Sequence, residues 1–254
     1  MEPAVRARSS IRYAEPAMCQ DAQLTPVQIK LGTMYHRCGR LDDAEVTLRE
    51  ALSILQQFHS ADNTATLDCL SSLAFLLRHL GRLDDADPML LSALQGSIRV
   101  FGSNHSKTIL VRNNYAALLM SRASIAQVAS EESAIKLYDE ADALMRESLS
   151  HQLSTAGESD PITQQTMHNL AALLHARHGD SEEALDLMRR TVRSRSASLG
   201  VSNTNTVASH SALITMLLKR GDDGVSEAEE LMRSMIAALH SNIDEWIKVR
   251  FTRS

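Results

Sequence analysis

The sequence predicts an all-α protein, a right-handed α-solenoid of about five helix pairs with a C-terminal capping helix. Three observations predict it. Leu41-Asp42-Asp43-Ala44-Glu45 returns 42 residues later as Leu83-Asp84-Asp85-Ala86-Asp87, and Gly-Arg precedes each copy (Gly39-Arg40, Gly81-Arg82). A fixed period of this size marks stacked supersecondary units, none of which can bury its apolar face alone. Hydrophobic residues make up 44% of the 254 residues but aromatics only 4%, with five prolines, which suits helices packed closely on small residues. Helix-stop and helix-start residues recur at the joins in one register.

Each unit reads as two helices. The first carries Leu31-Gly32-Thr33-Met34-Tyr35, matched at 42-residue steps by Leu73-Ala74-Phe75-Leu76-Leu77 and Tyr115-Ala116-Ala117-Leu118-Leu119. Leu170-Ala171-Ala172-Leu173-Leu174 follows 55 residues on, so 13 residues are inserted in the third unit. Ala44, Ala86, Ala141, Ala184 and Ala228 key the second helices, and four positions later stand Leu48, Leu90, Met145, Met188 and Met232. Small residues let backbones approach, and the large residue at i+4 fills the same face. At the joins, Asn63, His105, Asp160 and Asn203 occupy one register, where Asn and Asp are N-caps for the helix that follows. Pro161 falls at the first helical position, where its missing N–H costs nothing. Gly102, Gly157 and Gly200 stand just before, where the preceding helix must end.

These residues resemble the tetratricopeptide-repeat family. Leu31, Gly32, Tyr35, Ala44, Leu48 and Ala51 fit the spacing of that family's roughly 34-residue pattern. The longer period, connectors such as Gly157-Glu158-Ser159-Asp160-Pro161-Ile162-Thr163, and Asn169-Leu170-Ala171 with its near-copy Asn114-Tyr115-Ala116 resemble the kinesin-light-chain subclass. The likeness covers about residues 25–240. It departs from the subclass where Lys30, Ser72 and Ser211 replace the Asn, in the absence of a long N-terminal heptad segment, and in the fifth unit. There the register is open by one or two residues, and Gly221-Asp222-Asp223-Gly224 is expected to lengthen the inter-helix turn.

Residues 1–24 are expected to be a flexible leader. Arg6, Arg8 and Arg12 among Ala and Ser resemble a mitochondrial transit peptide, while Glu2 and Pro3 run against it and no secretory apolar core is present. The insert, about 121–137, lacks Gly and Pro, and Ser130-Glu131-Glu132 reads as a helix start. Both helices of that hairpin are therefore expected to be extended; the alternative is an irregular loop. After His240, Asn242 and Glu245 resemble a capping box, so residues 241–254 are expected to form a short capping helix and tail. Ile243, Trp246, Ile247 and Phe251 would give it an apolar stripe covering the last repeat.

No chemistry announces itself. There is no phosphate loop, nucleophile elbow or paired-carboxylate motif. Asp42-Asp43, Asp84-Asp85, Glu182-Glu183 and Glu229-Glu230 recur with the repeat at or near second-helix starts, where acids suit the dipole. His175 and His178 lack the Glu of a zinc-helix motif, and three cysteines without CxxC spacing give neither a disulfide framework nor a metal site. We expect no enzyme, no cofactor and no metal. A net charge of −5 argues against nucleic acid, and no apolar run could cross a bilayer. The expected function is a cytoplasmic adaptor or scaffold, binding a protein or peptide in a concave groove. The alternative is a structural or assembly-factor subunit, mitochondrial if the leader is real, that associates or self-associates through its ends or the hairpin. By the family's register the groove carries Lys30, Thr33, Asn114, Ala117, Asn169 and Ala172, with His36, Arg78 and His175 higher up. Lys30 and Arg78 would favour acidic side chains. The two Asn either pair with a peptide backbone or hydrogen-bond neighbouring helices, and the cations near helix ends either complement the dipole or form a basic rim.

Overall fold

The computed structural model describes residues 24–251, so the leader with Arg6, Arg8, Arg12 and Cys19 lies outside it. Ten α-helices and no strand occur among the described residues. They are α1 (24–37), α2 (Leu41–Phe58), α3 (Thr64–His79), α4 (Leu83–Phe101), α5 (Ser106–Ala129), α6 (Glu131–Thr155), α7 (Pro161–His178), α8 (Glu182–Leu199), α9 (Thr204–Lys219) and α10 (Asp222–Phe251). Odd-numbered helices are the first helices of the repeats and even-numbered ones the second. The chain divides into two compact units after Ser121, within α5.

In the first unit α3 packs between α2 and α4. In the second, α7 lies against α6, α8 and α9, and α9 against α8 and α10. Ala44, Ala86, Ala141, Ala184 and Ala228 are all fully buried, with Leu48, Leu90, Met145 and Met188 beneath them. Met232 is the exception at 37% exposed, although α10 keeps its buried keying Ala. A Cβ on Gly32 would stand 2.7 Å from Leu48 Cγ, so this glycine is a close approach of α1 to α2.

The joins follow the expected chemistry. Asn63 accepts from Ala65 N–H, Asp160 from Ile162 and Thr163 N–H, and Asn203 from Asn205 N–H. His105 fills the same role through Nδ1, which accepts from Lys107 N–H at 3.2 Å. The Gly-Arg pairs close α1 and α3 identically. Arg40 N–H reaches Tyr35 O and Gly39 N–H reaches His36 O; Arg82 N–H reaches Leu77 O and Gly81 N–H reaches Arg78 O. This paired 6→1 and 5→2 closure needs a left-handed residue, and Gly39 and Gly81 have φ of 75° and 76°. It also sets His36 and Arg78 at equivalent places in the last turns of their helices.

The insert is helical on both sides, making α5 and α6 24 and 25 residues long against 16–19 for α2–α4 and α7–α9. Ser130 caps α6 by accepting from Ser133 N–H. Beyond Arg122, buried Ala123, Ala134 and Tyr138 tie the hairpin together, with Ser124 and Tyr138 sharing a 3.3 Å hydrogen bond.

Four expectations in the last repeat change. α10 runs without a break through Asn242, so the segment expected as a separate capping helix is the C-terminal part of α10. The side chains of Ile243, Trp246, Ile247 and Phe251 lie outside the described residues. Gly224 is inside α10, not in a lengthened turn; a Cβ there would meet Leu217 O at 2.0 Å, so the glycine serves contact with α9. The first-turn acids of α10 are Asp222 and Asp223, which leaves Glu229-Glu230 in mid-helix. Buried Leu213, Met216 and Leu217 stand where Leu170, Leu173 and Leu174 stand in α7, which makes Ala212, not Ser211, the counterpart of Asn169.

Candidate peptide-binding surface

Every first helix leaves one stripe incompletely buried, at the same repeat positions. In the first unit it is Lys30, Thr33 and Arg37 on α1, Asp68, Ser72, Phe75 and His79 on α3, and Leu110, Asn114, Ala117 and Ser121 on α5. In the second it is Gln165, Asn169, Ala172 and Ala176 on α7, then Ala208, Ala212, Thr215 and Lys219 on α9. The spacing i, i+4, i+7, i+11 places each set along one helix face. Lys30, Thr33, Asn114 and Asn169 lie on these stripes. His36, Arg78 and His175 occupy one equivalent position beside them, all half-buried. Five of the seven expected site residues belong to the first unit and two, Asn169 and His175, to the second. Lys30 and Thr33 also line a shallow depression on α1 with Ile29, Met34, Arg37 and Cys38.

The two asparagines are held with opposite polarity. Asn114 Nδ2 donates to Ser71 Oγ on α3 at 3.2 Å, which leaves its Oδ1 as an open acceptor. Asn169 Oδ1 accepts from Gln165 Nε2 at 2.8 Å, which leaves its Nδ2 as an open donor. The second arrangement is imposed from inside. Arg195 on α8 is only 3% exposed and donates to Gln165 Oε1, to the Gln164 and Asn205 carbonyls, and to Ser209 Oγ. A guanidinium only donates, so Gln165 must turn its oxygen inward and its amide nitrogen toward Asn169. Each Asn thus spends one end within the protein and offers the other to solvent; Asn114 bonds a neighbouring helix, as one of its two readings expects, and Asn169 bonds its own. Helix-face spacing could have paired Gln165 with Asn169; nothing in the sequence signals Arg195.

His168 lies in the same network, with Nδ1 3.2 Å from Ser209 Oγ. Burial first, and then the Arg195 charge, pull its pKa down to about 4, so it is neutral near pH 7. His175 Nε2 is buried without a hydrogen-bond partner. Arg177, in the last turn of α7, is ion-paired with Asp139 of α6 at 2.6 Å.

In the first unit His36, Phe75, Arg78 and His79 form one cluster. His36 Nε2 lies 2.7 Å from His79 Nδ1, and Arg78 Nη2 lies 2.9 Å from His79 Nε2. Phe75 meets His36 edge-on at 5.3 Å between ring centroids, contacts His79 at 4.4 Å, and has the Arg78 guanidinium over its face at 5.3 Å. No carboxylate among the described residues pairs with Arg78, and its burial pulls its pKa down. Phe75 and His79 were not in the sequence-derived set, although Phe75 is the one aromatic at the Thr33 position of the repeat.

Cys69 behaves as a packing residue: its thiol donates to Leu48 O at 3.4 Å, and burial pushes its pKa up to about 12. Among the described residues no three His, Cys, Asp or Glu side chains gather as metal ligands. None of the described helices is long and apolar enough to cross a membrane.

Tetratricopeptide-repeat family models match residues 24–95 and 163–205. No curated protein matches. Two crystal structures of a Podosopora anserina protein, described as a kinesin light chain with nearly identical TPR-like repeats, are similar in fold. Their TM-scores are 0.63 and 0.62, each at 19% identity; 92% and 87% of this chain cover 98% and 97% of theirs. BtubC (BKLC) from P. vanneervenii is similar too, with a TM-score of 0.60, 20% identity, and coverage of 91% of this chain and 87% of that one. Identities this low speak for the fold alone. The chain carries tetratricopeptide repeats, and its fold is the one that kinesin-light-chain-like repeat proteins adopt.

Proposed function

We propose that the chain is a non-catalytic protein-interaction scaffold that holds a partner protein or extended peptide on the exposed stripes of its first helices. Tetratricopeptide repeats support the general reading. The observation that carries the finer one is that each unit holds an anchored asparagine on its stripe, with an open acceptor at Asn114 in the first and an open donor at Asn169 in the second. An extended chain offers both N–H and C=O groups along its length, so such side chains grip backbone without demanding a sequence. Small neighbours, Ala117 and Ala172, leave room for it.

Charge adds a preference. In the first unit Arg40, Arg49, Arg82, Arg99 and Lys107 are ion-paired with Asp or Glu, whereas Lys30, Arg37 and Arg78 on α1 and α3 have no carboxylate partner among the described residues. Acidic partner groups fit that surplus. The cytoplasm is the proposed compartment; import of a tagged chain into mitochondria would instead implicate the arginine-bearing leader.

The test is selection of displayed random peptides on the intact protein and on Asn114→Leu/Asn169→Leu. The reading expects enriched sequences that the double variant no longer retains, with unchanged helicity by circular dichroism. Equal retention by the variant would remove it. A second reading rests on the hairpin, where Ile125, Val128 and Ile135 are 64%, 93% and 43% exposed. Apolar side chains so exposed suit a contact surface, and a structural subunit would associate there.

A further inference from the structure

The cluster on α1 and α3 has a proton arrangement that its contacts dictate. Arg78 can only donate, so His79 Nε2, 2.9 Å away, must be the unprotonated acceptor. The His79 proton then sits on Nδ1 and is donated across 2.7 Å to His36 Nε2. His36 in turn carries its proton on Nδ1. Both rings are neutral, and the relay Arg78→His79→His36 joins the last turns of two first helices.

An added proton has no place in this relay. On His79 Nε2 it would face the Arg78 N–H; on His36 Nε2 it would face the His79 N–H. Protonation therefore breaks a hydrogen bond and sets a second cation beside a half-buried first one. The charged groups around it offer no relief. On α1 these are Lys30 and Arg37, both exposed and without a carboxylate partner among the described residues, and Arg40, whose guanidinium lies over the Tyr35 ring and is held by Asp43 of α2. At the start of α4, Arg82 occupies Asp85 and the Glu45 of α2. The α5 residues at the equivalent helix position, Met120 and Ser121, are uncharged. Burial and the Arg78 charge accordingly hold both His36 and His79 below the ordinary histidine pKa.

We propose that Arg78, His79 and His36 form a proton-linked oxyanion site, in which an anionic group docks on the free N–H groups of Arg78 while the histidine pair takes a proton from solvent. The anion supplies the negative charge that no described side chain of the unit provides, and so offsets the repulsion that keeps the pair neutral. Linkage is reciprocal: the anion raises the histidine pKa values, and acidification tightens anion binding. The site deepens the scaffold reading by naming the chemistry of one partner group. A carboxylate and a phosphoryl group share that chemistry.

The experiment follows the ring Cε1–H resonances of His36 and His79 through about pH 5–8, where imidazole titrates. Sodium chloride, sulfate and acetate are compared at equal ionic strength, with exposed His59 as the internal control. The expected result is a saturable upward movement in sulfate or acetate of the titration that both rings report, by about one unit for the one proton the pair takes up and so about tenfold in linked affinity. His59 should not move, and Arg78→Gln should remove the effect. A larger response to acetate assigns a carboxylate, and a larger response to sulfate a phosphoryl group. The proposal is overturned if His36 and His79 titrate alike in all three salts, if they move in step with His59, or if Arg78→Gln retains the shift. The salt comparison on the intact protein stands by itself should the variant fail to fold. Failure here leaves the peptide-binding reading in place, because that reading is tested at Asn114 and Asn169.

Discussion

His168 shows how one side chain sets a pH dependence for the second unit. Its folded pKa of about 4 lies below the ordinary value of 6.5, so the unfolded chain binds the proton more readily. The associated stability is present in full above about pH 6.5 and is lost as pH falls toward 4, at most about 3 kcal/mol from the size of the shift. Replacing His168 by Gln should leave the pH 7 urea midpoint nearly unchanged and reduce its fall between about pH 6.5 and 4. An equal fall in both proteins would contradict this. Gly224 gives a second residue-scale prediction. Gly224→Ala places a Cβ 2.0 Å from the Leu217 carbonyl oxygen, a backbone atom that cannot rotate away. It should destabilise by about 1–3 kcal/mol or more, read as a lower melting temperature with retained helicity at low temperature. The sequence made Gly224 look like a turn residue because glycine serves turns and close approaches equally. Only the packing of α10 on α9 distinguishes the two.

At the scale of elements, the 42-residue period made nearly every helix legible, because caps, stops and buried small residues repeat together. The Asn63, Asp160 and Asn203 caps, Pro161 and the stops at Gly102, Gly157 and Gly200 fall where spacing placed them. The last repeat was less legible for physical reasons. Asn242 and Glu245 imitate a capping box, but with no break in the hydrogen-bonded helix there is no free N-terminus for them to cap. The stripes were legible by register, whereas the direction of each amide was not, since it depends on Ser71 and Arg195 in other helices. The hairpin supplies the element-scale prediction. Ile125→Gln/Val128→Gln/Ile135→Gln changes exposed residues only, and should alter stability by no more than about 0.5 kcal/mol per site. Ala123→Leu, at a fully buried position, should cost about 1–3 kcal/mol. Urea unfolding of the two variants checks both. Loss of partners from the Gln variant would favour association through the hairpin.

Across the whole molecule, ion pairs bridge successive repeats, Arg82 with Glu45 in the first unit and Arg146 with Glu183 and Arg189 with Glu227 in the second. Such exposed pairs contribute little each, about 0–1 kcal/mol, and serve register more than stability. Lys30, Arg37 and Arg78, which have no carboxylate partner among the described residues, fall on first helices, the helices that also carry the anchored asparagines. Binding is the function this distribution supports. The most direct measurement is proximity labelling in cells with the intact chain and with Asn114→Leu/Asn169→Leu, after circular dichroism has shown equal folding. The account predicts a small set of neighbours that the double variant loses. A neighbour set that survives both substitutions would contradict it.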